Sequence, residues 1–90
     1  MSDTRWQVII HRKAEKILKR LDGDTLEQIR RAIRGLAIEP RPEGVKKLAG
    51  YDTLYRLRVG DWHIIYAIEE EMVIVLVLEI STRGGAYRDL

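Results

Sequence analysis

Cysteine is absent from this 90-residue chain. That excludes disulfides and thiolate chemistry and fits a reducing cytoplasm. Long apolar runs are also missing: Met72 to Leu78 is strongly apolar but far too short to span a bilayer. The start, MSDTRWQV, does not read as a secretory leader, because Arg5 and Gln7 interrupt any apolar stretch. A nucleotide-binding glycine loop is missing too, since Gly84-Gly85 does not open a helix with Lys-Ser/Thr. The only histidines, His11 and His63, lie far apart in sequence, so no metal site and no cofactor are expected. Charge of one sign is not in excess: the net charge is +2, although 33% of residues are charged. So small an excess is no argument for nucleic-acid binding by itself, because phosphate affinity depends on local clustering.

What is present suffices for one domain, residues 1–90, with an apolar fraction of 46% to build a single core. A chain of this size buries on the order of two-thirds of its surface on folding. Acidic residues gather at Glu69-Glu70-Glu71, which reads most simply as a solvated hairpin tip. Basic ones gather at Arg12-Lys13, Lys19-Arg20, Arg30-Arg31 and Lys46-Lys47.

The periodicity places a strand at Trp6 to Ile10 and a helix from about Arg12, with Ala14, Ile17, Leu18 and Leu21 on one face. Asp22-Gly23 ends that helix. Asp24, with Glu27 three residues on, is expected to cap the next. Leu26, Ile29, Ile33 and Leu36 form the second apolar stripe, Gly35 is read as a point of close packing, and Pro40 and Pro42 stop the helix near Glu39. A short strand at Val45 to Leu48 follows, then two strands of a hairpin. Met72 to Ser81 is apolar on both faces and so belongs inside the sheet. The order β-α-α-β-β-β predicts an α+β fold, with two helices on one face of a mostly antiparallel sheet and the other face partly open.

The hairpin YRLRVGDWHIIY carries the most information. Gly60-Asp61 has the Gly-first composition of a type II′ turn. A two-residue loop pairs Val59 with Trp62, Arg58 with His63, Leu57 with Ile64, Arg56 with Ile65 and Tyr55 with Tyr66. Alternation then puts Tyr55, Leu57, Val59, Trp62, Ile64 and Tyr66 on one face and Arg56, Arg58 and His63 on the other. Cations gathered on a rigid sheet face suit an anion. The plain alternative is that Arg56 and Arg58 are surface residues paired with glutamates. Whether Arg83 shares the face of His63 depends on the length of the loop around Glu70-Glu71-Met72. Residue spacing leaves that open.

The run KKLAG, then YRLRVGDWHIIY, an apolar strand and an R-x-x-A-Y ending resembles the RelE-type toxins of bacterial and archaeal toxin–antitoxin systems. The likeness covers nearly the whole chain and is strongest from Lys46 to Arg88. It implies a RelE-like, microbial RNase-type fold and a ribosome-dependent, metal-independent endoribonuclease. Such an enzyme cuts mRNA in the ribosomal A site and is silenced by a RelB-like antitoxin in a hetero-oligomer. Arg56 and Arg58 match two basic residues of the strand before the turn, Arg83 an arginine closing the last strand, and Tyr87 a C-terminal tyrosine. His63 stands where many relatives carry arginine, and Thr82 where they carry histidine or lysine.

On that footing Arg58 and Arg83 hold the scissile phosphate, and Arg56 lowers the pKa of the attacking 2′-hydroxyl. Tyr87 stacks on a base or moves a proton, and His63 serves as acid or base. Lys46, Lys47, Arg30 and Arg31 contact RNA backbone. Two other readings stay open: a ParE-like inhibitor of DNA gyrase on the same fold, and a catalytically weak RNA- or ribosome-binding relative.

Overall fold

In the computed structural model, residues 6–82 are described. Strand β1 (Gln7–Ile10) leads into helix α1 (Arg12–Arg20) and helix α2 (Gly23–Leu36). Strands β2 (Lys46–Lys47), β3 (Leu54–Val59), β4 (Trp62–Glu69) and β5 (Ile74–Thr82) follow. The sheet order is β1-β5-β4-β3-β2, with β1 parallel to β5 and the other three pairs antiparallel. The α+β expectation holds, with one strand more than the order β-α-α-β-β-β allots, and the last long strand is interior as expected, lying between β1 and β4.

Both helices lie against one face of the sheet. Ala14 and Leu18 from α1, and Ile29, Ile33 and Leu36 from α2, pack with Tyr55, Ile64, Tyr66, Ile68, Val75, Val77 and Ile80 in one core. Each large apolar side chain so buried contributes about 1.5–3 kcal/mol. Among the described residues no helix is long and apolar enough to cross a membrane.

The local signals differ from the sequence reading at the helix ends. Asp22, not Asp24, occupies the N-cap of α2, and its side chain makes no capping hydrogen bond. Gly23, at φ +63°, opens this helix directly, which leaves Asp24 inside the first turn. Helix α1 is capped by His11, whose Nδ1 accepts from the Lys13 amide at 3.1 Å. Imidazole is not among the preferred capping groups, so residue type alone offers no cue for it. Helix α2 ends at Leu36, before the prolines reach it. The Ala37, Ile38 and Glu39 amides turn back onto the Arg34 and Gly35 carbonyls. Gly35 is not a close-packing point either: a Cβ added there would meet nothing within 4 Å.

The Gly60-Asp61 hairpin follows the expected register at every pair, and Gly60 takes φ +62° while Asp61 keeps a negative φ. The next turn is longer than two residues. Glu69 pairs with Ile74, which leaves Glu70, Glu71, Met72 and Val73 as the loop, and Val73 sits at φ +56°. A second irregularity lies within β5, where Ile65 pairs with Glu79 but Tyr66 pairs with Val77. Leu78 is therefore the extra residue of a β-bulge. Before it, Val75 and Val77 face the helices; after it, Ile80 does, and Glu79 and Ser81 turn to the opposite face.

Candidate functional site

The sheet face away from the helices divides into two ends. Towards the β4–β5 loop it is apolar, with Leu54, Ala67, Leu76 and Ile9 across neighbouring strands. Towards the Gly60 turn it is ionic. One cross-strand row runs Arg58, His63, Ser81, and the next runs Lys46, Arg56, Ile65, Glu79. Arg58 is exposed, Arg56 and Glu79 are half-buried, and His63 lies deepest at 7% exposure.

Alternation on either side of a fixed turn is what gathers these side chains, so their relative positions follow from the backbone. Arg58 is held further: its Nε donates to the Gly60 carbonyl at 3.0 Å. That bond ties the side chain back over the turn and leaves both terminal nitrogens for an anion, the bidentate geometry that carboxylate and phosphate favour. The alternative reading, in which Arg58 pairs with a glutamate, is not met among the described residues. The ion pairs among the described residues are Arg34 with Glu27 at 3.5 Å and Arg41 with Glu70 at 2.8 Å. Ser81 Oγ is buried and finds no hydrogen-bond partner among the described residues. A buried hydroxyl left so costs about 1–3 kcal/mol, a deficit that a ligand on this face could remove.

Of the residues singled out in the sequence, the fold brings Arg56, Arg58, His63 and Lys46 together. Lys47 pairs opposite Tyr55 and so alternates to the other side of the edge strand. Arg30 and Arg31 are exposed on α2, in the helical layer across the sheet from this face. Arg83 and Tyr87 lie outside the described residues. No three of His, Asp or Glu converge among the described residues in a way that could hold a metal ion.

Sequence reasoning missed Glu79 and left Ser81 without a placed geometry. Strict alternation from Val75 and Val77 places both towards the helices, and only the bulge reverses them. Arg41 was missed as well. Its Nε donates to Tyr55 Oη at 3.2 Å, its Nη2 reaches Glu70 at 2.8 Å, and its guanidinium lies 5.3 Å from the Tyr55 ring centre. The acidic tip is thus not merely solvated, since Glu70 anchors this arginine. The hydrogen bonds it donates, to Tyr55 first and to Glu70 second, raise the Arg41 pKa further. Behind it the Tyr55 and Tyr66 rings stack at 6.0 Å. Burial first, and Tyr55 next, push the Tyr66 phenol well above its ordinary value. This cluster sits at the opposite end of the hairpin from Arg58 and braces the loop between α2 and β2.

Comparison with known proteins places the geometry in a family. The model of the ParE toxin of the type II toxin–antitoxin system parDE matches residues 8–87. A chain named toxin RelE1 from Methanocaldococcus jannaschii is 32% identical over 88 residues, covering 94% of this chain and 98% of that one. The archaeal RelE–RelB complex of Pyrococcus horikoshii contains a similar structure, with TM-score 0.80, 30% identity, and coverage of 91% of this chain and 99% of that one. The isolated RelE toxin of E. coli, at 22% identity, shares the fold with TM-score 0.76 over 93% of each chain. With the matched region reaching into all seven helices and strands described above, the chain belongs to the RelE/ParE family of type II toxin–antitoxin toxins.

Proposed function

We propose that this chain is a RelE-type toxin whose ionic sheet face cleaves mRNA in the A site of the ribosome, and that a cognate RelB-like antitoxin neutralises it. The observation that carries this reading is the convergence of Arg56, Arg58, His63 and Lys46 on one face, with Arg58 pre-set by its bond to Gly60. Metal-independent RNA cleavage needs a proton removed from the 2′-hydroxyl, charge on the phosphorane stabilised, and a proton given to the 5′-oxygen. Guanidinium groups fixed on a sheet meet the second need and stay charged at working pH. Arg58 and Arg83 hold the scissile phosphate in this reading, Arg56 favours ionisation of the 2′-hydroxyl, and His63 moves a proton. Tyr87 stacks on a base or shares in proton transfer. Lys46 extends the cationic row, and Lys47, Arg30 and Arg31 contact RNA backbone from the edge and the helical layer. The cytoplasm, where ribosomes translate, is the site of action.

The deciding experiment offers the purified chain to ribosomes programmed with a defined mRNA. Cleavage at a fixed codon position supports the reading, and its suppression by the co-expressed antitoxin supports the partner. The family model is described by ParE, and that favours a second reading as an inhibitor of DNA gyrase. Intact mRNA together with blocked supercoiling is its signature.

A further inference from the structure

We propose that Glu79 is the general base of this face, an inference that rests on the ribonuclease reading. The bulge at Leu78 turns a glutamate that alternation would aim at the core onto the ionic face instead. There Glu79 is half-buried and makes no ion pair or hydrogen bond with any described residue. Within the two cross-strand rows its charged neighbours among the described residues are cationic. Arg56 and Lys46 share its cross-strand row, and His63 and Arg58 occupy the next one. His11, beyond the end of β1, donates its amide to Val77 and has its Nδ1 occupied by Lys13. A carboxylate placed among cations on an anion-binding surface works against phosphate binding, so its presence there calls for a chemical use.

Metal-free transesterification supplies one. Within the two cross-strand rows, Glu79 is the only carboxylate and His63 the only imidazole. They stand on adjacent strands in diagonal positions, about 7–8 Å apart, from which two side chains can reach opposite sides of one phosphate. Glu79 takes the proton of the 2′-hydroxyl as that oxygen bonds to phosphorus. The phosphorus–5′-oxygen bond breaks, and the imidazolium of His63 gives its proton to the departing oxygen. A 2′,3′-cyclic phosphate and a 5′-hydroxyl result, with no co-reactant. Ser81 Oγ, opposite His63, donates to a phosphate oxygen.

The test compares the full chain with Glu79→Gln and Glu79→Asp variants in single-turnover cleavage on programmed ribosomes. Binding is measured separately on mRNA carrying a 2′-deoxy group at the cut site, which cannot react. Glu79→Gln should lower the cleavage rate roughly a hundredfold or more, with binding unchanged or tighter and Glu79→Asp intermediate. A bridging 5′-sulfur, a leaving group that needs little protonation, should restore a His63→Gln variant and leave Glu79→Gln inactive. A Glu79→Gln rate within about threefold of the parent would overturn the assignment while leaving the ribonuclease reading intact. Lost binding with an unchanged rate, or restoration by sulfur, would likewise remove Glu79 from the base role. If the parent chain leaves mRNA whole, the ribonuclease reading falls and this inference falls with it.

Discussion

Tyr66 Oη, in the middle of the central strand, donates a 2.7 Å hydrogen bond to the carbonyl of Pro40, and both residues are buried. This bond fixes the start of the segment that carries Arg41 to the sheet, just where the chain leaves the helical layer. Removing the donor in Tyr66→Phe keeps the ring and its stacking but strands a buried carbonyl. The expected loss is about 1–3 kcal/mol, read from chemical denaturation.

The same residue predicts an alkaline limit. The phenol pKa is raised in the folded chain above its ordinary value of 10.0, by burial above all. Its contribution is therefore fully present below pH 10 and is lost as pH climbs from there towards the folded value, because the unfolded chain gives up the proton first. Stability measured against pH should decline above about pH 10, and that decline should be shallower in Tyr66→Phe. Equal slopes in the two proteins would contradict the burial of the phenol.

Gly35 offers a gain. It lies within α2, exposed, with no positive φ and open space around a prospective Cβ. Gly35→Ala should raise stability by about 0.5–1 kcal/mol, visible as a higher melting temperature. A loss would mean that this position meets a neighbour after all.

Val73 is the mirror case. A β-branched residue at φ +56° is strained, at a cost of about 1–2 kcal/mol. Val73→Gly should recover part of that cost. The four-residue loop and the Glu69–Ile74 pairing should persist, as chemical shifts of the neighbouring amides would show.

For the proposed chemistry, Arg58→Ala and Arg83→Ala should each lower mRNA cleavage by about a hundredfold or more if they hold transition-state charge. Folding should be little affected in Arg58→Ala, because this side chain is exposed. Full activity in either variant on programmed ribosomes would remove that residue from the phosphate site.

The sequence disclosed the hairpin completely, because a Gly-first two-residue turn admits one register and alternation then assigns every side chain from Tyr55 to Tyr66. It disclosed both helical stripes for the same reason. What it concealed were features that depend on contacts between distant residues. Arg41 meets Tyr55 and Glu70 only after the loop before β2 has folded against the β4–β5 tip. His11 caps α1 through an imidazole that no composition rule would choose. The sense of Glu79 and Ser81 hangs on one inserted residue, and an unbroken apolar run such as IVLVL carries no mark of where a bulge will fall.

That inserted residue gives the last strand two separate obligations. Upstream of Leu78 the positions that tolerate only apolar residues are odd-numbered, and downstream they are even-numbered. Straightening the strand with Leu78 kept in the ladder would therefore put Glu79 in place of Ile80 at the boundary with the helices and expel a core isoleucine into the charged row, damaging stability and chemistry at one stroke. Substitutions at Glu79 or Ser81, after the bulge, leave the packing of Val75 and Val77 before it undisturbed. Within this strand the outward residues of the charged half can change while the half that seats the helices stays constant.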